Sequence, residues 1–272
     1  MVRRWLSLFL LTLAGATAGI AQDAELQQLE SGTTARAWEA VGRLDLGGAG
    51  FCTGALIAPN LVLTAAHCLF EKGSGSRVNE SEIEFLAGWR NGRASAYRSV
   101  RKAVTHPDYT FGGDLDSNAV RFDLALLELD HPIRNGQIEP FATTHRPNEG
   151  DQVGVVSYAK DRSEAPSLQE ICEVLGHREG VLVTSCSVDF GASGAPIFTF
   201  KDGRAQIVSV VSAKASMEGE DVSLGTSLNS PLEALYEEIK SDHIQSNDAG
   251  PLSRRIVVGG IRTETGAKFV KP

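Results

Sequence analysis

The sequence predicts an all-β fold of many short strands, followed by one C-terminal helix. Three observations carry this. From Ala37 onward, short apolar runs recur: AVGRLDL, GALIA, LVLTAA, ALLEL, QVGVVSY, GVLVTS, PIFTF and QIVSVVSA. Gly, Pro, Asn and Asp punctuate them at turn-like intervals, the pattern of strands joined by tight connections. Strong helical spacing is confined to the segment after Ser230, where Leu232, Leu235, Tyr236 and Ile239 fall on one face. There Ser230 is placed to cap, Pro231 suits the first helical position and Glu233 completes a capping box, so that the apolar face docks against the strands.

The elements divide the 272 residues into four parts. Residues 1–21 read as a signal peptide. Arg3 and Arg4 precede an apolar stretch (Leu6, Leu8 to Leu11, Leu13), and small residues follow at Ala16, Ala18, Gly19 and Ala21. Cleavage is expected after Ala18 or Ala21. The apolar run is short for a membrane span, and no comparable run follows, so an exported protein without stable membrane insertion is expected. Residues 22–36 are polar and read as a linker or short pro-segment. Residues 37–241 form the folded domain, with 71–82 and 160–168 as charged loops. Residues 242–272 read as a polar tail, whose IVVGG resembles a strand with no assigned place.

Hydrophobic residues make up 42% of the chain, enough for a sizeable core, and the net charge is −8 without a basic patch. That balance argues against a nucleic-acid partner. Four cysteines suit an oxidising compartment. Of the three possible pairings we prefer Cys52 with Cys68 and Cys172 with Cys186. Each closes a short loop worth up to roughly 3 kcal/mol in the chain-entropy model. No Cys-x-x-Cys pair and no ligand-like histidine spacing is present, so no metal is expected.

Three segments carry chemistry: TAAHC (64–68), DLALLEL (123–129) and GASGAP (191–196). A serine hydroxyl is a weak nucleophile at neutral pH and needs a base to accept its proton. His67 is that base, flanked by small alanines that let its turn pack closely. Asp123 opens an apolar run, a setting that dehydrates a carboxylate and lets it hold the imidazole in one tautomer. Ser193 lies between Gly191 and Gly194, whose freedom permits a tight turn. That turn aims the backbone N–H groups of Gly191 and Ser193 at one point, an oxyanion hole. Singly, each residue is as well read as a core histidine, a strand-edge acid or a turn serine. Together and in this order they are read as a catalytic set. Asp114, Asp116 and Asp130 rank below Asp123 because none precedes an Ala-Leu-Leu run, and His106, in a His-Pro-Asp turn, is read as structural.

CTGALIAPNLVLTAAHC (52–68), VTHPDY (104–109), GASGAP and IVSVVSA (207–213) together resemble the trypsin/chymotrypsin family of serine proteases over residues 37–241. The order His, Asp, Ser is that of this family and not of subtilisins or α/β-hydrolases. The resemblance implies two orthogonal six-stranded β-barrels, a cleft between them and a C-terminal helix. It implies that the cysteines around the histidine pair. It also implies that Ser187 lies near the floor of the specificity pocket and that Ser212, Ala213 and Lys214 line the substrate cleft. No cofactor is implied.

The chain departs from the animal digestive members of that family. Ala192 stands where they carry the aspartate that pairs with a new N-terminus, and their activation motif is missing from TTARAWEAVGRL (33–44). Maturation through that ion pair is therefore not expected, and RRIVVGG (254–260) lies at the wrong end to serve. The pattern is closer to bacterial secreted members, including the V8-like glutamyl endopeptidases. Glutamate-specific members carry a pocket histidine where this chain has Val211. The resulting expectation is a monomeric serine endopeptidase, secreted or periplasmic, acting on peptides or proteins. The alternative is an inactive or latent protein of the same fold that binds peptides or protein partners.

Overall fold

The computed structural model describes residues 25–29, 35–48, 50–112, 117–145 and 147–248, with backbone alone from 242. The signal-peptide segment, Asp114, Asp116 and the IVVGG stretch lie outside the described residues.

The first barrel closes in the order β2-β3-β4-β7-β6-β5. Its strands are β2 (Val41–Leu46), β3 (Phe51–Ala58), β4 (Leu61–Thr64), β5 (Ile83–Ala87), β6 (Ala96–Thr105) and β7 (Ala125–Leu129). The second comprises β9 (Gln152–Ser157), β10 (Ser167–Arg178), β11 (Val181–Thr184), β12 (Pro196–Lys201), β13 (Arg204–Met217) and β14 (Glu220–Ser227). It closes because β9 pairs with both β10 and β12. The short strands β1 (Gln27–Gln28) and β8 (Ala142–Thr143) append to it. All barrel pairings are antiparallel, so each strand buries one face inward. Val41, Leu44, Leu56, Leu63, Phe85, Leu126 and Leu127 are fully buried in the first barrel. In the second, Val153, Val155, Leu182, Ile197 and Val208 are as deeply buried. The fold class expected from the sequence, two six-stranded barrels with a C-terminal helix, is the observed one.

Three boundaries differ from the sequence reading. Within residues 22–36, Gln27 and Gln28 pair with Leu168 and Ser167 of β10, and Leu29 is buried beside them. The C-terminal helix begins at Asn229, ahead of Ser230, with Leu232 N–H donating to the Leu228 carbonyl at 2.8 Å. It runs to Asp248, into the stretch read as tail. Its apolar face (Leu232, Leu235, Ile239) joins the core of the first barrel, although the chain reaches it from the second. The Lys102 ammonium donates to the Ile239 carbonyl at 3.2 Å and fastens the helix to β6. No helix among the described residues is long and apolar enough to cross a membrane.

Candidate active site

Strand register brings His67 and Asp123 together. β4 and β7 pair with Thr64 opposite Ala125. The chain leaves β4 into a 3-10 turn, Ala66–Leu69, and enters β7 from Asp123 and Leu124. A histidine three residues beyond one strand end therefore meets an aspartate two residues before its partner begins. Ala65 and Ala66 are fully buried, which lets the turn lie flat on the barrel.

Asp123 is 3% exposed and its carboxylate is fully engaged. Oδ1 accepts the backbone N–H of His67 at 2.8 Å and Oδ2 lies 2.6 Å from His67 Nδ1. The Ser212 hydroxyl donates to the same Oδ2 at 2.5 Å. A carboxylate bound this way fixes the ring orientation and leaves Nε2 as the free ring nitrogen. Ser212 reaches it because the β13–β14 ladder shifts register between Val211 and Ala213. The sequence assigned Ser212 to the substrate cleft, and it does line a cavity beside Ser193, but its hydroxyl serves Asp123. Burial, with the Asp123 charge adding to it, raises the pKa of Tyr109 above its ordinary value.

Ser193 sits on the loop between β11 and β12, held against the first barrel. Thr53 N–H donates to the Ser193 carbonyl at 2.9 Å, and the Thr53 hydroxyl donates to the Gly191 carbonyl at 2.8 Å. Gly194 adopts φ +78, and a Cβ there would fall 2.1 Å from Thr64 Oγ1 and 2.3 Å from the Thr53 carbonyl. Gly191 adopts φ +96, with the Phe51 ring where a Cβ would lie. Both positions demand glycine. Along the loop, the N–H groups of Ala192, Gly194 and Ala195 donate to Asp189, Val211 and Ala192 carbonyls. Those of Gly191 and Ser193 have no partner among the described residues, so two alternate donors stay free for an anionic oxygen. Ala192 is fully buried among Val153, Val155, Ile197 and Val208, an environment with no place for a carboxylate.

Two cavities meet at His67 and Ser193. One, of about 210 Å³, is lined by Phe51, the Cys52 and Cys68 residues, Phe70, Lys72, Lys160, Phe190 and Gly191. The other, of about 340 Å³, is lined by Val188, Asp189, Phe190, Val211, Ser212, Ala213 and Lys214, and shares Lys72 with the first. Lys214 pairs with Asp221 at 2.8 Å, and that hydrogen bond chiefly raises its pKa. Ser187 lines neither cavity. Its side chain is exposed and its N–H donates to Gln169 Oε1 at 2.8 Å. Phe190, Lys72 and Lys160 were not singled out in the sequence. The signals available were the adjacency of Phe190 to Gly191 and the charged loops 71–82 and 160–168, which contain the two lysines.

The cysteines pair as Cys52–Cys68 and Cys172–Cys186. Cys52, His67 and Cys68 cluster closely, but the two sulfurs are bonded to each other and offer no thiolate to a metal.

Comparison with known proteins points in one direction. A family model described as a trypsin-like peptidase domain matches residues 52–206. A glutamyl endopeptidase of Bacillus licheniformis is 26% identical over 157 residues, covering 57% of this chain and 47% of that protein. A trypsin of Simulium vittatum is 30% identical over 148 residues, covering 48% of this chain and 55% of that one. The chain thus spans about half the length of these curated relatives. The solved structure of a Glu endopeptidase in complex with MPD superposes with a TM-score of 0.63 at 19% identity, covering 80% of this chain and 98% of that one.

Proposed function

Because the chain belongs to the trypsin-like peptidase family, we propose that it is an exported serine endopeptidase working through His67, Asp123 and Ser193. The observation that carries this is the buried Asp123. It binds the backbone and ring of His67 together and leaves Nε2 free in the cavities that Ser193 lines. Ser193 Oγ attacks the peptide carbonyl carbon while His67 Nε2 takes its proton. The developing oxyanion accepts the Gly191 and Ser193 N–H groups. His67 then protonates the leaving amine, and water releases the acyl group by the reverse sequence. Disulfides and the family's bacterial secreted relatives support an extracellular or periplasmic site of action.

The glutamyl specificity in the relative's name is not carried over to this chain, whose cavity beside Ser193 has Val211 where glutamate-specific members carry a histidine. Val188 and Val211 wall the larger cavity and Lys214 is already paired with Asp221.

A second reading, a binding protein on the same fold, is favoured by one observation. Among the described residues no hydrogen bond joins Ser193 to His67; the contact of Nε2 is Cys68 Sγ at 4.0 Å. Catalytic hydrogen bonds often tighten only with substrate in place. The two readings separate by fluorophosphonate labelling of the secreted protein with intact-mass analysis. One adduct, absent in Ser193→Ala, is expected, together with a loss of peptidase activity of several orders of magnitude in that variant. No adduct on folded, disulfide-bonded protein favours the binding reading, and unchanged activity in Ser193→Ala overturns the assignment of the nucleophile.

A further inference from the structure

We propose that Lys72 and Lys160 give the enzyme a preference for acidic residues immediately after the scissile bond. This rests on the peptidase reading and names one part of its substrate. His67 must deliver a proton to the leaving nitrogen, so the leaving segment passes beside His67 and the disulfide next to it. Residues 212–214 of β13 line the larger cavity, which on this reading receives the acyl segment. The smaller cavity, which contains the disulfide and none of β13, therefore receives the leaving segment.

Its lining is one-sided in charge. Phe51, Phe70 and Phe190 supply aromatic surface, Lys72 and Lys160 supply two ammonium groups, and no carboxylate lines it. Lys72 is held over the Phe190 ring, 4.9 Å from its centroid, which orients the ammonium without neutralising it. Phe190 is 67% exposed, an aromatic lip on which the Lys72 ammonium rests. Neither lysine is in an ion pair among the described residues. The chain carries a net charge of −8, so two unpaired cations at the mouth of the nucleophile are a local reversal of the global field. Lys214 in the other cavity is different, since Asp221 pairs with it. An acidic side chain after the scissile bond would lie between the two ammonium groups, its methylenes on the Phe190 and Phe70 rings.

The test is a peptide-library digest aligned on cleavage sites, run beside fluorophosphonate labelling. It uses the wild type and the charge-reversed Lys72→Glu/Lys160→Glu variant. We expect Asp and Glu enriched at the first two positions after the cleaved bond. Matched Glu and Lys peptides should differ about one-and-a-half- to fivefold in kcat/KM, the range of a single exposed ion pair. The difference should shrink as salt shortens the Debye length. In the charge-reversed variant the enrichment should pass to Lys and Arg. A labelled, cleaving enzyme with no acidic enrichment overturns the proposal, as does enrichment that survives charge reversal. Protein that neither labels nor cleaves overturns the peptidase reading itself, and the two failures are distinct.

Discussion

A carboxylate that holds one histidine by its backbone N–H and its ring Nδ1 fixes both position and tautomer, and this is where single-residue consequences are largest. Asp123→Asn preserves the shape of the side chain but presents an N–H2 that can face Nδ1. The ring would then carry its proton on Nε2, the nitrogen that must accept from Ser193. A fall in kcat of about 10⁴-fold is expected, as wrong-tautomer variants of such triads show. Measuring kcat across pH checks it, and a variant within tenfold of wild type would contradict the role given to Asp123. The sequence made these residues legible because each chemistry-bearing residue adjoins a steric signature: alanines before His67, an apolar run after Asp123, glycines around Ser193. The partner on the other side of Asp123 was hidden. Ser212 turns toward the carboxylate through a register shift in β13, and a register shift depends on how two distant strands pair.

Eight of the twelve barrel strands were read directly as apolar runs; β5 (IEFLA), interrupted by one glutamate, and three strands with a wet face were not. β6 (AYRSVRKAVT), β10 (SLQEICEVLGHR) and β14 (EDVSLGTS) interleave charges with core residues, so no continuous run marks them. The turn that ends β6 makes a prediction of its own. The backbone N–H of His106 donates to the Leu124 carbonyl at 3.0 Å, and its Nδ1 accepts from Asp108 N–H at 3.1 Å. Its ring stacks on Phe122 at 4.7 Å. Burial lowers its pKa; Asp108 opposes this and the Arg121 charge adds to it. The folded state therefore binds this proton less readily than the unfolded chain. The stabilisation is complete above the unfolded value of about 6.5 and is lost as pH falls from there through the folded value. Asn at this position keeps an acceptor for Asp108 N–H and does not titrate. Urea unfolding of His106→Asn and wild type at several pH values should give curves that run parallel above pH 7. Below about pH 6.5 the wild type should lose stability faster. Parallel curves throughout would show that the turn is indifferent to protonation.

At the scale of the whole molecule the site exists only because the barrels are tied together across it. His67 and Asp123 come from the first barrel and Ser193 from the second. The C-terminal helix crosses back from the second to pack on the first. The tie nearest the chemistry is Thr53 of β3. Its hydroxyl donates to the Gly191 carbonyl at 2.8 Å and accepts the Tyr158 N–H at 3.0 Å. Its own N–H holds the Ser193 carbonyl. One buried residue of the first barrel thus touches the nucleophile loop twice and the chain leaving β9 once. Thr53→Val keeps the volume and removes the hydroxyl. Tyr158 is fully buried, so its N–H would be left without a partner, at a cost of about 1–3 kcal/mol. The Gly191 carbonyl would lose its anchor, freeing the peptide groups that present the Gly191 and Ser193 N–H donors. Displacements on the ångström scale at such donors cost up to about 10²-fold in rate. The fluorophosphonate labelling rate of Thr53→Val should therefore fall about ten- to a hundredfold in protein that is still folded at 25 °C. Thr53→Ser keeps the hydroxyl and should restore most of it. If the valine variant labels at the wild-type rate while its unfolding midpoint drops, Thr53 serves only to hold the barrels together. If the serine variant restores both, the inter-barrel tie is what sets the geometry of the oxyanion donors.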